Sequence, residues 1–407
     1  MGLSVADSVL GEVPSDWLVS TVGVVFKEFN GRIQTGPFGS QLHASDYVED
    51  GIPTVMPANI GDNRIIEKGI SRIRSEDVER LKRHKLQSGD IVFSRRGDVE
   101  RRSLVRDHEV GWLCGTGCLL VRPPSGNVDS AFLSHWFGHP VIRTWLTQHA
   151  IGATMLNLNT EILSSVPLVL PPLKEQLAIA EVLGAIDDKI ESNHRLQLLL
   201  DAVIEAEYAR VTNGSSLVHF SHSLHVVMGA PFGGDHFSGI GHGRPLIRIR
   251  DLKTFAPQTW TIESRADEVL VRAGDVVVGM DAEFRSTLWV GEVGLLNQRV
   301  CKFVPKAGVA TAFAWHAIRS DLEYCERAKS GTTVIHLNKG DIDRFSVPEL
   351  DSTGHQDFSD LTEPMLKRLV SAGLENLRLV ALRDALLPEL LSGRLRVKDA
   401  KSIMECV

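Results

Sequence analysis

The chain has 407 residues, 43% of them hydrophobic and 23% charged, an ordinary balance for a globular protein of two or three domains. No apolar run approaches the ~20 residues that cross a bilayer. Asp7, Glu12 and Asp16 stand where a secretory leader would be apolar, so a cytoplasmic protein is expected. A net charge of −7 argues against a protein basic all over, but the charge is uneven. From Arg64 to Arg106 thirteen Lys/Arg face seven Asp/Glu, a window of +6 that leaves −13 for the remainder. Such a window suits either a local nucleic-acid contact or a solvated charged surface.

In chain order, residues 17–170 carry short Val-, Ile- and Thr-rich runs such as DIVFS and CLLVR, broken by Gly and Pro, which predict strands. Residues 129–148 predict one helix. After Pro171-Pro172 a stretch with no Pro and one Gly predicts a long helix over 173–212. Ile179, Leu183, Ile186, Ile190, Leu200 and Ile204 recur at 3–4 spacing, with Asn193 and Gln197 completing the seam, as in a coiled coil whose polar interruption fixes register. Strand-like runs return over 217–350 (PLIRIRDL, DVVVG), with a helix predicted at 311–329. A second long helix is predicted within 351–398, with Pro364 near its start and a stripe of Leu366, Leu369, Val370, Leu374, Leu377 and Val380 or Ala381. Neither helix can hide its stripe alone, so the two are expected to pack together.

The chain is written twice. QSGDIVFSRRGDVERRSLV around Gly89-Asp90 parallels RAGDVVVGMDAEFRSTLWV around Gly274-Asp275. IGATMLNLNTEILSSVPL (151–168) parallels SGTTVIHLNKGDIDRFSVPEL (330–350), and GPFGS (36–40) parallels APFGG (230–234). The matches keep their order at offsets between about 179 and 194 residues. The fold class expected is α+β: two tandem domains, each followed by a long helix, with the helices paired under a pseudo-twofold axis. The boundaries read as 1–172 and 213–350 for the domains, 173–212 and 351–398 for the helices, and 399–407 for a tail.

Cys114, Cys118, Cys301, Cys325 and Cys406 are odd in number and scattered, which speaks against a disulfide framework. Neither CGTGC nor the histidines of HFSHSLH (219–225) has the second ligand set a zinc site wants, so no metal is expected. GxxxxGK(S/T), HExxH, GxSxG and Asn-Pro-Pro-aromatic patterns are all missing, so neither catalysis nor a cofactor is expected. Asp275 and Asp281 resemble a nuclease pair only superficially, because Gly-Asp recurs at 89–90 as a turn. GPFGS and APFGG are read either as glycine-flanked approaches to a phosphate or as ordinary turns. Asn159 and Asn338 precede short segments where a helix can begin, and are read as N-caps. Thr154, Asn157, Thr333 and His336 lie in the polar loops beside them.

VPSDW (13–17), the Gly-Asp strands, GAT…LN and GTT…LN, VPLVLPPLKEQLAIAEVLGAIDDKI (166–190) and LLPELLSGRLRV (386–397) occur in an order that resembles the specificity subunit of type I restriction-modification systems. The resemblance covers nearly the whole chain. It implies two target recognition domains, each reading half of a bipartite site on double-stranded DNA. It further implies a helical spacer that sets their distance and docks two methyltransferase subunits, an endonuclease-translocase subunit as a further partner, and no membrane. Methyl transfer and cleavage would belong to those partners. DSTGHQDF (351–358) departs from the LPPLKEQ pattern that opens the first helix, which puts the symmetry of partner docking in doubt. Candidate DNA contacts are Arg95, Arg96, Arg101 and Arg102 in the first half and Arg248, Arg250, Arg285 and Arg299 in the second, since guanidinium groups pair with guanine edges or phosphates. The rival readings are a non-catalytic interaction scaffold and an orphan DNA-binding protein without restriction partners.

Overall fold

The computed structural model describes residues 5–152, 154–329 and 335–404. The chain forms two compact units, one from residues 1–187 with 382–407 and one from residues 188–381.

In the first unit, strand Leu18–Thr21 pairs antiparallel with Pro167–Leu170, Val19 opposite Val169, and this brings the two ends of the segment side by side. Between them a four-stranded antiparallel sheet runs in the order Arg32–Thr35, Cys118–Arg122, Ile91–Ser94, Arg102–Leu104. All four residues of Ile91–Ser94 are buried, which explains an uninterrupted apolar run where a half-exposed strand would alternate. Phe93 meets Phe137 of the helix Ser130–Gly138 edge-on at 4.9 Å. Val92 belongs to a cluster with Val55, Ile60, Val105 and Leu120. A second sheet follows the order Leu113–Cys114, Ile52–Val55, Ser71–Ile73, Tyr47–Val48, parallel only between its first two strands.

The second unit repeats this plan. Leu217–His219 pairs with Ser346–Pro348. An antiparallel sheet has the order Leu224–Met228, Val300–Pro305, Val276–Gly279, Ser286–Leu288, and Val276–Gly279 is again buried throughout. A five-stranded sheet carries Arg244–Ile247 parallel to Gly294–Leu296, as Ile52–Val55 is to Leu113–Cys114. The α+β class and the order of domain, long helix, domain, long helix are therefore those expected.

Each helix expected beyond the central sheet is in fact two. Ser130–Gly138 and Pro140–His149 meet at His139, whose ring accepts the amide of Val141, while Pro140 takes the first helical position where its missing N–H costs nothing. Thr311–Ala317 and Arg319–Lys329 meet at Ile318. HFSHSLH forms a strand, a short 3-10 turn and the start of another strand, so its histidines share no helical face; His219 Nε2 lies 2.9 Å from the carbonyl of Asp343.

The long helices are Leu173–Val211 and Ser352–Leu391. In the first unit Ile179, Leu183 and Ile186 are buried, and so are Leu386, Leu387, Leu390 and Leu391 of that unit. In the second unit the helices run antiparallel: Asn376 donates to the carbonyl of Ile190 at 3.2 Å and Gln197 to that of Leu369 at 3.3 Å. Asn193, the polar interruption of the stripe, is 2% exposed and donates to Glu375 at 2.8 Å. The second helix begins earlier than Pro364 suggested. Asp351 caps it, its carboxylate accepting the amide of Gly354 at 2.7 Å, and Pro364 lies well inside, on the exposed face, where the missing N–H removes a single bond. Of the alternatives at the end of the stripe, Val380 is half-buried and Ala381 exposed.

Candidate nucleic-acid interface

In the first unit the buried strand Ile91–Ser94 ends in Arg95-Arg96, and the chain turns at Gly97 with φ +77°. Three other loops gather there. The Arg95 amide donates to Gly117 at 2.9 Å, its carbonyl accepts from Leu158 at 2.9 Å, and the Gly97 amide donates to Leu156 at 3.0 Å. Gly36 donates to Cys118 at 2.9 Å, and a Cβ on Gly36 would sit 2.1 Å from the Gly115 carbonyl oxygen. The first glycine of GPFGS thus permits two loops to touch, which supports the reading of that motif as a structural turn.

The resulting crook holds a cavity of about 290 Å³ lined by Gly36, Pro37, Phe38, Gly39, Arg95, Arg96, Thr116, Gly117 and Cys118. Phe38 stands on it half exposed. Arg95 Nε and Thr116 Oγ1 are buried there without a hydrogen-bond partner among the described residues. Arg96 is exposed, and its guanidinium meets no side chain among the described residues. Arg101 lies farther on, exposed and paired with Asp98.

Arg102 turns inward. It is 5% exposed, donates to the carbonyl of Ser134 at 2.8 Å and to Asp62 at 2.7 Å. Asp62 also meets Arg383 at 3.1 Å, and Arg383 meets Asp187 at 3.2 Å. Asn63, held at φ +60°, donates to Asp187 at 3.0 Å, and His135 Nε2 lies 4.0 Å from the same carboxylate. Burial alone would raise the Asp62 carboxyl, but Arg102 and Arg383 outweigh it and bring it down to about 2. Burial drives His135 down to about 4 despite Asp187, so the ring is neutral at pH 7. No short-range pattern announces this network, since its members come from positions 62–63, 102, 134–135, 187 and 383.

The second unit builds the same crook with other side chains. Val276–Gly279 ends in Met280-Asp281. The Met280 amide donates to Arg299 at 2.9 Å, the Met280 carbonyl accepts from Leu337 at 2.8 Å, and the Ala282 amide donates to Ile335 at 3.2 Å. Gly229 donates to Val300 at 3.0 Å, and a Cβ there would lie 2.1 Å from the Asn297 carbonyl oxygen. These bonds equate Arg95 with Met280, Arg96 with Asp281, Gly117 with Arg299 and Gly36 with Gly229. Asp281 pairs with Arg299, whose Nε lies 2.9 Å away, and with His336. Burial works against the Asp281 anion, yet Arg299 and His336 hold its carboxyl below the usual range.

Arg285 lies in the loop after Asp281, largely exposed, with Glu283 3.8 Å away. Arg248 places its guanidinium 5.8 Å above the Phe237 ring, and Arg250 donates to Thr259 at 3.0 Å. Asn159 and Asn338 are N-caps, accepting from Ile162 at 2.7 Å and Asp341 at 3.0 Å. Thr333 lies outside the described residues. The repeated Gly-Asp is a turn in both units: Gly89 and Gly274 have positive φ, and Asp90 and Asp275 accept the amides of Gln87 and Arg272. Cys114, Cys118 and Cys301 are buried thiols, that of Cys301 pushed up to about 12 by burial. Among the described residues no cluster of His, Cys, Asp and Glu has the makings of a metal site, and no helix is long and apolar enough to cross a membrane.

The family model described as the type I restriction modification DNA specificity domain matches residues 14–201 and 243–361, most of the chain and parts of both units. The chain belongs to the type I DNA specificity family. It is similar to the EcoBI specificity subunit of Escherichia coli, with 30% identity over 187 residues, 45% of this chain and 40% of that subunit. Matches to two Methanocaldococcus jannaschii specificity subunits, MjaVIII and MjaX, likewise span 42% and 44% of those relatives. The MjaIX specificity subunit of the same organism matches at 21% identity over 96% of each chain. The crystal structure of the type I restriction-modification S subunit from M. genitalium shares the fold, with a TM-score of 0.57 at 13% identity over 92% of this specificity-family chain and 96% of that one.

Proposed function

We propose that this chain is the non-catalytic, sequence-reading subunit of a type I restriction-modification complex, each unit's recognition domain contacting one half of a bipartite site on double-stranded DNA. The observation that carries the reading is the repeated crook: the same loops, the same backbone bonds and the same glycine contact in two units of a specificity-family chain. Residues 1–172 and 213–350 are the two readers, 173–212 and 351–398 the spacer helices, and 399–407 a tail. Half-sites about one helical turn apart, ~34–36 Å, call for a rigid, two-fold-like spacer.

Arg95, Arg96, Arg101, Arg248, Arg250, Arg285 and Arg299 are the cations assigned to DNA. Arg102, which the sequence pattern groups with them, supports the surface from beneath. Two methyltransferase subunits dock on the helices, where Leu198, Leu199 and Val203 lie 60%, 60% and 48% exposed, and an endonuclease-translocase joins the assembly. The complex works in the cytoplasm.

The test is co-purification of this chain with a type I methyltransferase subunit from its own host, followed by methylation mapping of genomic DNA with and without the chain. A bipartite methylated motif that disappears with the chain is the expected result. Methylation indifferent to its deletion would leave a scaffold.

A further inference from the structure

The two crooks differ in a way that a surface reading only phosphates would not require. A phosphate is the same anion in every half-site and gives a carboxylate nothing to accept from, whereas base edges differ from one half-site to the other. The backbone bonds that build the crooks coincide, while the side chains they present differ in charge. Arg96 in one becomes Asp281 in the other, and Gly117 becomes Arg299. In the first unit the cavity keeps two buried polar atoms, Arg95 Nε and Thr116 Oγ1, without hydrogen-bond partners among the described residues, beside the exposed Arg96. Buried polar atoms are rarely left so, and a ligand with acceptor atoms would satisfy them. In the second unit Asp281 is paired with Arg299 and with His336, so that an acceptor and a donor are held side by side on a partly exposed surface.

We infer that the crook of each unit is its base-reading site: Arg95 and Arg96 offer paired donors to the two acceptors of a guanine, and Arg299 with Asp281 offers a donor beside an acceptor to the edge of an adenine. Guanine presents N7 and O6 in the major groove and adenine presents N7 with an N6 amino group, which are the complements of these two arrangements. The inference rests on the DNA-reading assignment above and gives that assignment named positions, 95–96 in one half and 281 with 299 in the other.

The test uses the full chain expressed with that methyltransferase subunit in a host lacking other adenine and cytosine methylation, with the methylated motif read from host DNA. Arg96→Gln is expected to relax a guanine position in one half-site by roughly 5- to 150-fold, and Asp281→Ala, which removes the acceptor, an adenine position in the other half-site alone. If a variant abolishes methylation, Arg96→Lys or Asp281→Glu takes its place, keeping the charge while altering the geometry. Anything other than a relaxed guanine in one half and a relaxed adenine in the other overturns the inference and leaves the DNA-reading assignment standing. A wild-type chain that directs no bipartite motif overturns both.

Discussion

Arg102 gives its guanidinium to Asp62 and to the carbonyl of Ser134, whereas Arg96, six residues earlier, points at solvent. Alanine at the two positions should therefore do different things. Arg102→Ala strands Asp62 beside Arg383 and opens space against Gly138, and a loss of about 2 kcal/mol is expected in denaturant unfolding. That is less than a fully buried pair would lose, because the Asp62 side chain is 55% exposed. Arg96→Ala leaves stability unchanged within about 0.5 kcal/mol. An equal loss from both would place Arg96 in the core electrostatics instead.

His135 adds a pH dependence. Its folded pKa of about 4 lies below the ordinary 6.5, so between those values the unfolded chain binds a proton that the folded chain refuses. Stability is then complete above about pH 6.5 and lost as pH falls toward 4, on the order of 3 kcal/mol from this ring. His135→Gln should flatten that part of the stability curve. An equally steep acid limb in the variant would mean that other groups carry it.

At the scale of elements, the second long helix tolerates a proline that local propensity disfavours. Pro364 sits on the exposed face while Phe358, Thr362, Leu366 and Leu369 are buried around it, so tertiary contact outweighs local propensity. Pro364→Ala should restore one backbone bond and raise stability by about 1–3 kcal/mol, seen as a higher unfolding midpoint; a lowered midpoint would show that the helix needs its proline.

What was legible in the sequence follows the range of the interactions. Asn159 and Asn338 were readable as caps because a cap acts within three residues, and the Gly-Asp turns were readable because they recur. The long helices were readable from their stripes. Within the second, the sequence placed Pro364 near the start, whereas the helix opens at Ser352 behind the capping Asp351. The inward turn of Arg102 and the meeting of Asp281, Arg299 and His336 were not readable, because each joins segments tens of residues apart. Gly229, one place ahead of APFGG, is the structural partner of Gly36, an offset that matching the letters alone concealed.

At the scale of the whole molecule, each half carries its own sheets and its own crook, so replacing residues 17–170 with the equivalent segment of another family member should change one half-site of the methylated motif and spare the other. A change in both would show that the readers are not independent. Closing the first unit also needs the far end of the chain. Leu386, Leu387, Leu390 and Leu391 are at most 6% exposed there, Arg396 meets Glu175 at 3.2 Å and Lys401 meets Glu181 at 3.0 Å. Removing residues 382–407 is therefore expected to cost hydrogen-exchange protection throughout the first unit while the sheets of the second retain theirs.

That discontinuity sets an order of events on the ribosome. The inner unit is contiguous in the chain and can close as soon as its own residues have emerged. The outer one must wait, its first 187 residues already synthesised, for the 194 residues of the inner unit and the 26 that complete its own, about 220 more. At ~5–20 residues per second the delay is roughly 10–40 s. Through that interval Glu175, Glu181 and Asp187 of the first long helix lack their partners Arg396, Lys401 and Arg383, and a nascent chain is at its most exposed to proteases and to premature association.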